Sequence, residues 1–239
     1  MTNAEAPVSA PAVARARRRV PILTGALAGA TVVAAGIVLP GGGTAEGPVP
    51  WWLVAVLLVG ADAVAFRFSV FGTPHVVSFG AVPMVLGVAL LSPIGFVAAR
   101  VLGSTATAAM EQRSRGKAAF NISLAGFEAV IVAGIHGALL GNGDPFSAAG
   151  VAAAAVAVMA ATVVASMVVT AAVAEGSSEV PPGFRRMLVI GHGANFAAVI
   201  GGAGLVAAFG LGDAVGAGFL LAAAVVLVEI RLLRDRVET

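Results

Sequence analysis

Apolar residues come in a series of long blocks, broken by short polar stretches. A helix needs ~20 predominantly apolar residues to cross the hydrocarbon of a bilayer. Eight blocks reach or approach that length: 21–39, 51–68, 76–91, 94–110, 118–140, 148–174, 187–209 and 214–230. The third and fourth are short and separated only by Ser92 and Pro93, which reads as a tight helical hairpin or a partly re-entrant pair. The pattern predicts an all-α fold, a polytopic transmembrane helical bundle of about eight spans. Around it lie a disordered basic N-terminal tail at 1–20, the bundle itself at 21–230, and the start of a cytoplasmic connector helix at 231–239.

Composition agrees with a membrane protein. The chain has 239 residues, 59% of them hydrophobic and 11% charged, with a mean hydropathy of +1.00. Soluble domains carry roughly 25% charged residues. The 31 glycines suit close helix packing in lipid. With no cysteine, disulfides, thiolate metal sites and cysteine nucleophiles are excluded.

Charge placement orients the bundle. With the N-terminus inside, the inner segments hold Arg15, Arg17, Arg18, Arg19, Arg67, Arg113, Arg115, Lys117, Arg185, Arg186, Arg231, Arg234 and Arg236. Those are 13 of the 14 basic residues, and the outer loops hold Glu46, Asp144 and Asp213 instead. By the positive-inside rule both termini are cytoplasmic, and the location is a bacterial cytoplasmic membrane. The first block is longer than a signal-peptide core and lacks a convincing cleavage site, so it reads as a retained span. Its arginines then anchor it at anionic lipid, and nucleic-acid binding is not called for.

Polar side chains inside the spans are the candidates for function, because ionisable groups at membrane depth are costly and face the bundle interior. They are Asp62, Arg100, Asn121, Glu128, His136 and His192, with Asn195 three residues beyond His192. Arg100 and Glu128 fall at comparable depths on antiparallel neighbours, so they can pair, with Asp62 as a second candidate partner. Asn121 and Glu128 are seven apart and share a helical face. Three readings stay open: an ion pair that fixes helix register, a ligand-facing pocket, or a proton relay, which would need a more continuous line of acids and histidines. The three histidines lie on three different segments, so neither a metal site nor a cofactor is expected. No phosphate-binding loop, nucleophile elbow, HExxH or dinucleotide fingerprint is present, so no catalytic residue is assigned. Glycines spaced by four (Gly25 and Gly29, Gly137 and Gly141, Gly212 and Gly216) suit close helix approach, within the chain or between copies.

The last block runs into a charged end. Val226, Ile230, Leu233 and Val237 alternate as d, a, d, a of a heptad, with Arg231, Arg234, Asp235 and Glu238 off the seam. This is either a short coiled-coil start, as in a homodimer through that helix, or an amphipathic end resting on the membrane.

Two stretches, VSFGAVPMVLGVALLSPIGFVAARVLGS and RSRGKAAFNISLAGFEAV, carry a resemblance. In Pro83, the Ser92-Pro93 turn, the AARVLG of the fourth helix and the Lys117 to Asn121 start of the fifth, the chain is similar to the N-terminal multi-span membrane module of actinobacterial cyclic-di-GMP signalling (GGDEF/EAL) proteins. The likeness covers roughly 50–239 and rests on the order and spacing of these features. Where relatives carry an acidic residue shortly before the proline of the third helix, this chain has Ala81. The resemblance implies a sensor or regulator that passes a membrane or small-ligand signal through its C-terminal helix to a cytoplasmic output domain or partner protein. Any cyclase or phosphodiesterase activity would lie in that output domain. A transport protein, for example a substrate-binding membrane component, is the alternative. A heptad seam after the last span favours the sensor.

Overall fold

The computed structural model describes residues 10–39, 49–63, 66–70, 73–77, 80–173 and 195–208. In chain order these form α1 (Ala10–Val38), α2 (Trp51–Ala63), β1 (Phe66–Val70), β2 (Thr73–Val77), α3 (Ala81–Leu90), α4 (Pro93–Met110), α5 (Arg115–Leu140) and α6 (Ala148–Val173). The last helix among the described residues, α7, spans Asn195–Ala208. His192, Ile230, Leu233 and Val237 lie outside the described residues, as does the 214–230 block.

The architecture is a multi-span membrane-helix bundle. Three stretches among the described residues are long and apolar enough to cross a membrane: Val20–Val38, Arg115–Leu140 and Ala148–Ala172. Helix α1 begins at Ala10, so the Ala- and Arg-rich stretch that composition assigns to a disordered tail is helical from there on. Both residue types are strong helix formers.

Two expected spans are shorter than their apolar blocks. The 51–68 block is helical only to Ala63, and the 76–91 block only from Ala81. Between them β1 and β2 form an antiparallel hairpin in which Phe66 opposes Val77 and Val70 opposes Thr73. Phe66, Arg67, Phe68, Ser69 and Val70 alternate apolar and polar, Gly72 sits in the connection, and Thr73, Val76 and Val77 are β-branched. That is strand chemistry with a breaker at the turn. Pro74 also lacks the N–H a helix interior requires.

Local signals end the helices cleanly. Ser92 caps α4, its Oγ accepting the Gly95 N–H at 3.2 Å, with Pro93 at the first helical position. Helix α5 stops at Gly141, whose φ of 56° only glycine adopts freely, and whose N–H donates to the Gly137 carbonyl at 2.9 Å. At the start of α6, Ser147 Oγ accepts the Gly150 N–H at 3.1 Å.

Helix directions follow from the glycines. A Cβ on Gly95 would stand 3.6 Å from Trp51 Cβ, and one on Gly103 3.2 Å from Leu58 Cβ. Both contacts advance together, so α2 runs parallel to α4. A Cβ on Gly126 would stand 3.3 Å from Thr31 Cγ2, and one on Gly134 3.2 Å from Val38 Cγ2, so α1 runs parallel to α5. Helix α5 also packs against α4 and α6, which makes it the centre of the bundle. Small residues at these crossings let backbones approach, which drives association where lipid removes the hydrophobic force between helices. The core holds Phe96, Leu58, Val54, Val85, Val132, Val158 and Val206, all nearly inaccessible.

Helix α3 is the most enclosed. At ten residues it is only ~15 Å long. Seven of its residues are buried, and α7 crosses it so tightly that a Cβ on Gly202 would stand 2.9 Å from Val85 Cβ and 3.1 Å from the Val82 carbonyl oxygen.

Candidate functional site

The α4–α5 turn sets the site. Two antiparallel helices leaving one turn stay level when their residues are equally far from it. Arg100 and Glu128 are each fourteen residues from Ser114. At 1.5 Å per residue that is ~21 Å from the turn, well inside the bundle. There Arg100 Nη2 donates to Glu128 Oε2 at 2.7 Å. The two side chains are 17% and 10% exposed, so this pair is largely out of solvent. Arg100 Nε is buried and makes no hydrogen bond.

Helix α2 adds a second layer. Its parallel register along α4, 44 to 45 residues apart in sequence at the Trp51–Gly95 and Leu58–Gly103 contacts, places Asp62 beside Thr107. The Thr107 hydroxyl donates to Asp62 Oδ2 at 3.3 Å. The Asp62 carboxylate also acts electrostatically on Arg100, seven residues back along α4 on the same face. The result is a polar cluster of Asp62, Thr107, Arg100 and Glu128 that ties α2, α4 and α5 together. Asn121 is half-buried on α5, one heptad below Glu128 and level with Thr107.

The cluster joins three of the residues read from the sequence and leaves the others apart. His136 is buried on the last turns of α5, with Nε2 unpartnered. Asn195 begins α7 and donates from Nδ2 to Thr162 Oγ1 of α6 at 3.0 Å, away from the cluster. An open apolar cleft of about 400 Å³ adjoins that bond between α6 and α7, lined by Val156, Met159, Val163, Phe196 and Ile200 among others. Among the described residues no three His, Asp or Glu side chains gather where they could hold a metal ion.

Thr107 was not legible from sequence. Helical threonines ordinarily return their hydroxyl to the carbonyl four residues back. Thr24, Thr31, Thr105, Thr162 and Thr170 all do so here. Thr107 instead reaches across to another helix. The only available hint was its seven-residue spacing from Arg100.

No family model, no curated protein and no solved structure matches the chain. One guanidinium and two carboxylates at membrane depth make a strongly polar centre in an apolar bundle. Removing both partners of such a pair for apolar groups is often neutral, whereas removing one is strongly destabilising. The arrangement is therefore suited to specifying which helix faces meet.

Proposed function

We propose that the chain is a membrane-embedded sensory or regulatory module that passes the state of its bundle through the C-terminal helix to a cytoplasmic output domain or partner. The observation that carries this reading is the buried cluster of Asp62, Thr107, Arg100 and Glu128, which couples three helices through charge. Altering any one of its contacts changes how α2, α4 and α5 meet, and such discrete rearrangement is what a two-state relay requires. Arg100 and Glu128 lie within the two sequence stretches whose resemblance to the membrane module of cyclic-di-GMP signalling proteins suggested this reading.

Grafting a diguanylate cyclase domain after Thr239 tests it. Cyclase output should change between the native chain and Glu128→Gln at equal membrane abundance. Output from folded Glu128→Gln and Arg100→Gln chains identical to that of the native chain would show that the cluster is only structural and would remove the proposal.

A further inference from the structure

The cleft between α6 and α7, about 400 Å³, is walled by Val156, Met159 and Val163 on one side and by Phe196, Val199 and Ile200 on the other. The α6 residues sit near the middle of the Ala148–Ala172 span, so the open side of the cleft faces hydrocarbon. Val156 is 54% exposed and Phe196 49%, which marks the opening. One rim is polar. Asn195 precedes Phe196, Thr162 precedes Val163, and Asn195 Nδ2 donates to Thr162 Oγ1 at 3.0 Å. The Thr162 hydroxyl donates in turn to the Val158 carbonyl at 2.9 Å. That leaves the Asn195 amide with one further N–H and with the acceptor Oδ1, for which the described residues offer no partner. Unlike Arg100 Nε and His136 Nε2, Oδ1 is not sealed off.

We propose that this cleft binds a small neutral alcohol that enters from the bilayer, with its hydroxyl on the Asn195 amide and its hydrocarbon body along Met159, Phe196 and Ile200. Volume, lining and the single polar group select the occupant. Small-molecule sites are mostly apolar, with a few polar groups that fix orientation. At ~30 Å³ per heavy atom, the share of a water in the liquid, about 400 Å³ holds roughly thirteen heavy atoms. A two-chain phospholipid is several times larger. A carboxylate or an amine finds no counter-charge on these walls and is costly at this depth. An alkane would fill the walls but leave the amide unsatisfied where no water reaches it. A hydroxyl donates and accepts, which matches Oδ1 and the remaining N–H. The site lies on α6 and α7, apart from the polar cluster of α2, α4 and α5, and does not rest on the relay proposed above.

The test uses the full chain in phosphatidylcholine nanodiscs and dodecan-1-ol carrying a photoreactive diazirine in its chain. Irradiation and peptide mass spectrometry should place the label around Met159 and Phe196. Unlabelled dodecan-1-ol should compete about fivefold better than dodecane, the worth of one hydrogen bond, and dodecanoate no better than dodecane. Asn195→Leu should abolish the preference for the alcohol. Thr162→Val removes the bond between the helices but keeps the Asn195 amide, so it should retain that preference. Val156→Trp, at a half-exposed position that tolerates bulk, should block labelling. Unfolding midpoints show which variants fold, and the competition on the native chain needs no variant. Label spread evenly over lipid-facing helices such as α1 would mean bulk hydrocarbon contact only and would overturn the proposal. So would equal competition by dodecane or dodecanoate, a preference that survives Asn195→Leu or is lost in Thr162→Val, or labelling that persists in Val156→Trp.

Discussion

Arg100 and Glu128 stand fourteen residues either side of Ser114 and meet at 2.7 Å inside the bundle. Their pairing is therefore a property of the α4–α5 hairpin as a whole, because any insertion in the turn would move them out of level. Arg100→Leu should destabilise the fold by about 3–5 kcal/mol by leaving Glu128 uncompensated. Arg100→Leu with Glu128→Leu should recover a large part of that loss. A double-mutant cycle measured by unfolding in mixed micelles checks this, and zero coupling energy would contradict it.

Thr107→Val removes a hydroxyl that links α2 to α4 while keeping side-chain volume and branching. The expected cost is about 1.5 kcal/mol, the lower end of the net worth of a hydrogen bond to a charged partner. Thr105→Val, whose hydroxyl only returns to the Val101 carbonyl, should cost less. Paired unfolding curves decide the order of the two.

Gly202→Ala puts a methyl group where Val85 and the Val82 carbonyl already stand. Overpacking of this kind costs about 1–3 kcal/mol. Gly29→Ala meets nothing within 4 Å and should be neutral within the single chain, with a small gain from helix propensity. Thermal midpoints of the two variants should move in opposite directions.

Helix α5, with 26 residues, is ~39 Å long, so the two turns at its ends lie on opposite membrane faces. The chain has no cysteine of its own. A cysteine at Gly116 should react with a membrane-impermeant maleimide only after the cytoplasmic side is opened, and one at Gly143 should react in intact cells. This orientation is the one expected from the basic residues near Gly116 by the positive-inside rule. Labelling of both from outside would exclude it.

The long helices were legible because hydropathy and their ends agree: 118–140 and 148–174 lie close to Arg115–Leu140 and Ala148–Val173. The level of Arg100 and Glu128 was legible for the same reason, since helical rise fixes depth once the turn between them is known. The β1–β2 hairpin was not. Phe66, Phe68, Val76 and Val77 count as apolar on any hydropathy sum, so the flanking blocks absorbed them, although Phe66, Phe68 and Val70 alternate with polar residues at a period of two. Thr107 was hidden because nothing in the sequence separates a hydroxyl that crosses to another helix from one that returns to its own. Asn121 shows the converse: sharing a face with Glu128 did not bring it a hydrogen bond among the described residues.

Helix α3 has a consequence for how the protein is made. Ten residues are half of what insertion machinery accepts as a span, so this helix cannot partition into lipid by itself. Its backbone ends and its Val82–Val85 surface are tolerable at depth only when protein covers them. Part of that cover is Gly202, synthesised more than a hundred residues later. During translation α3 therefore lacks this part of its cover until α7 emerges. A nascent chain released before that point exposes the unfinished crossing, and it should be a preferred substrate for membrane quality-control proteases.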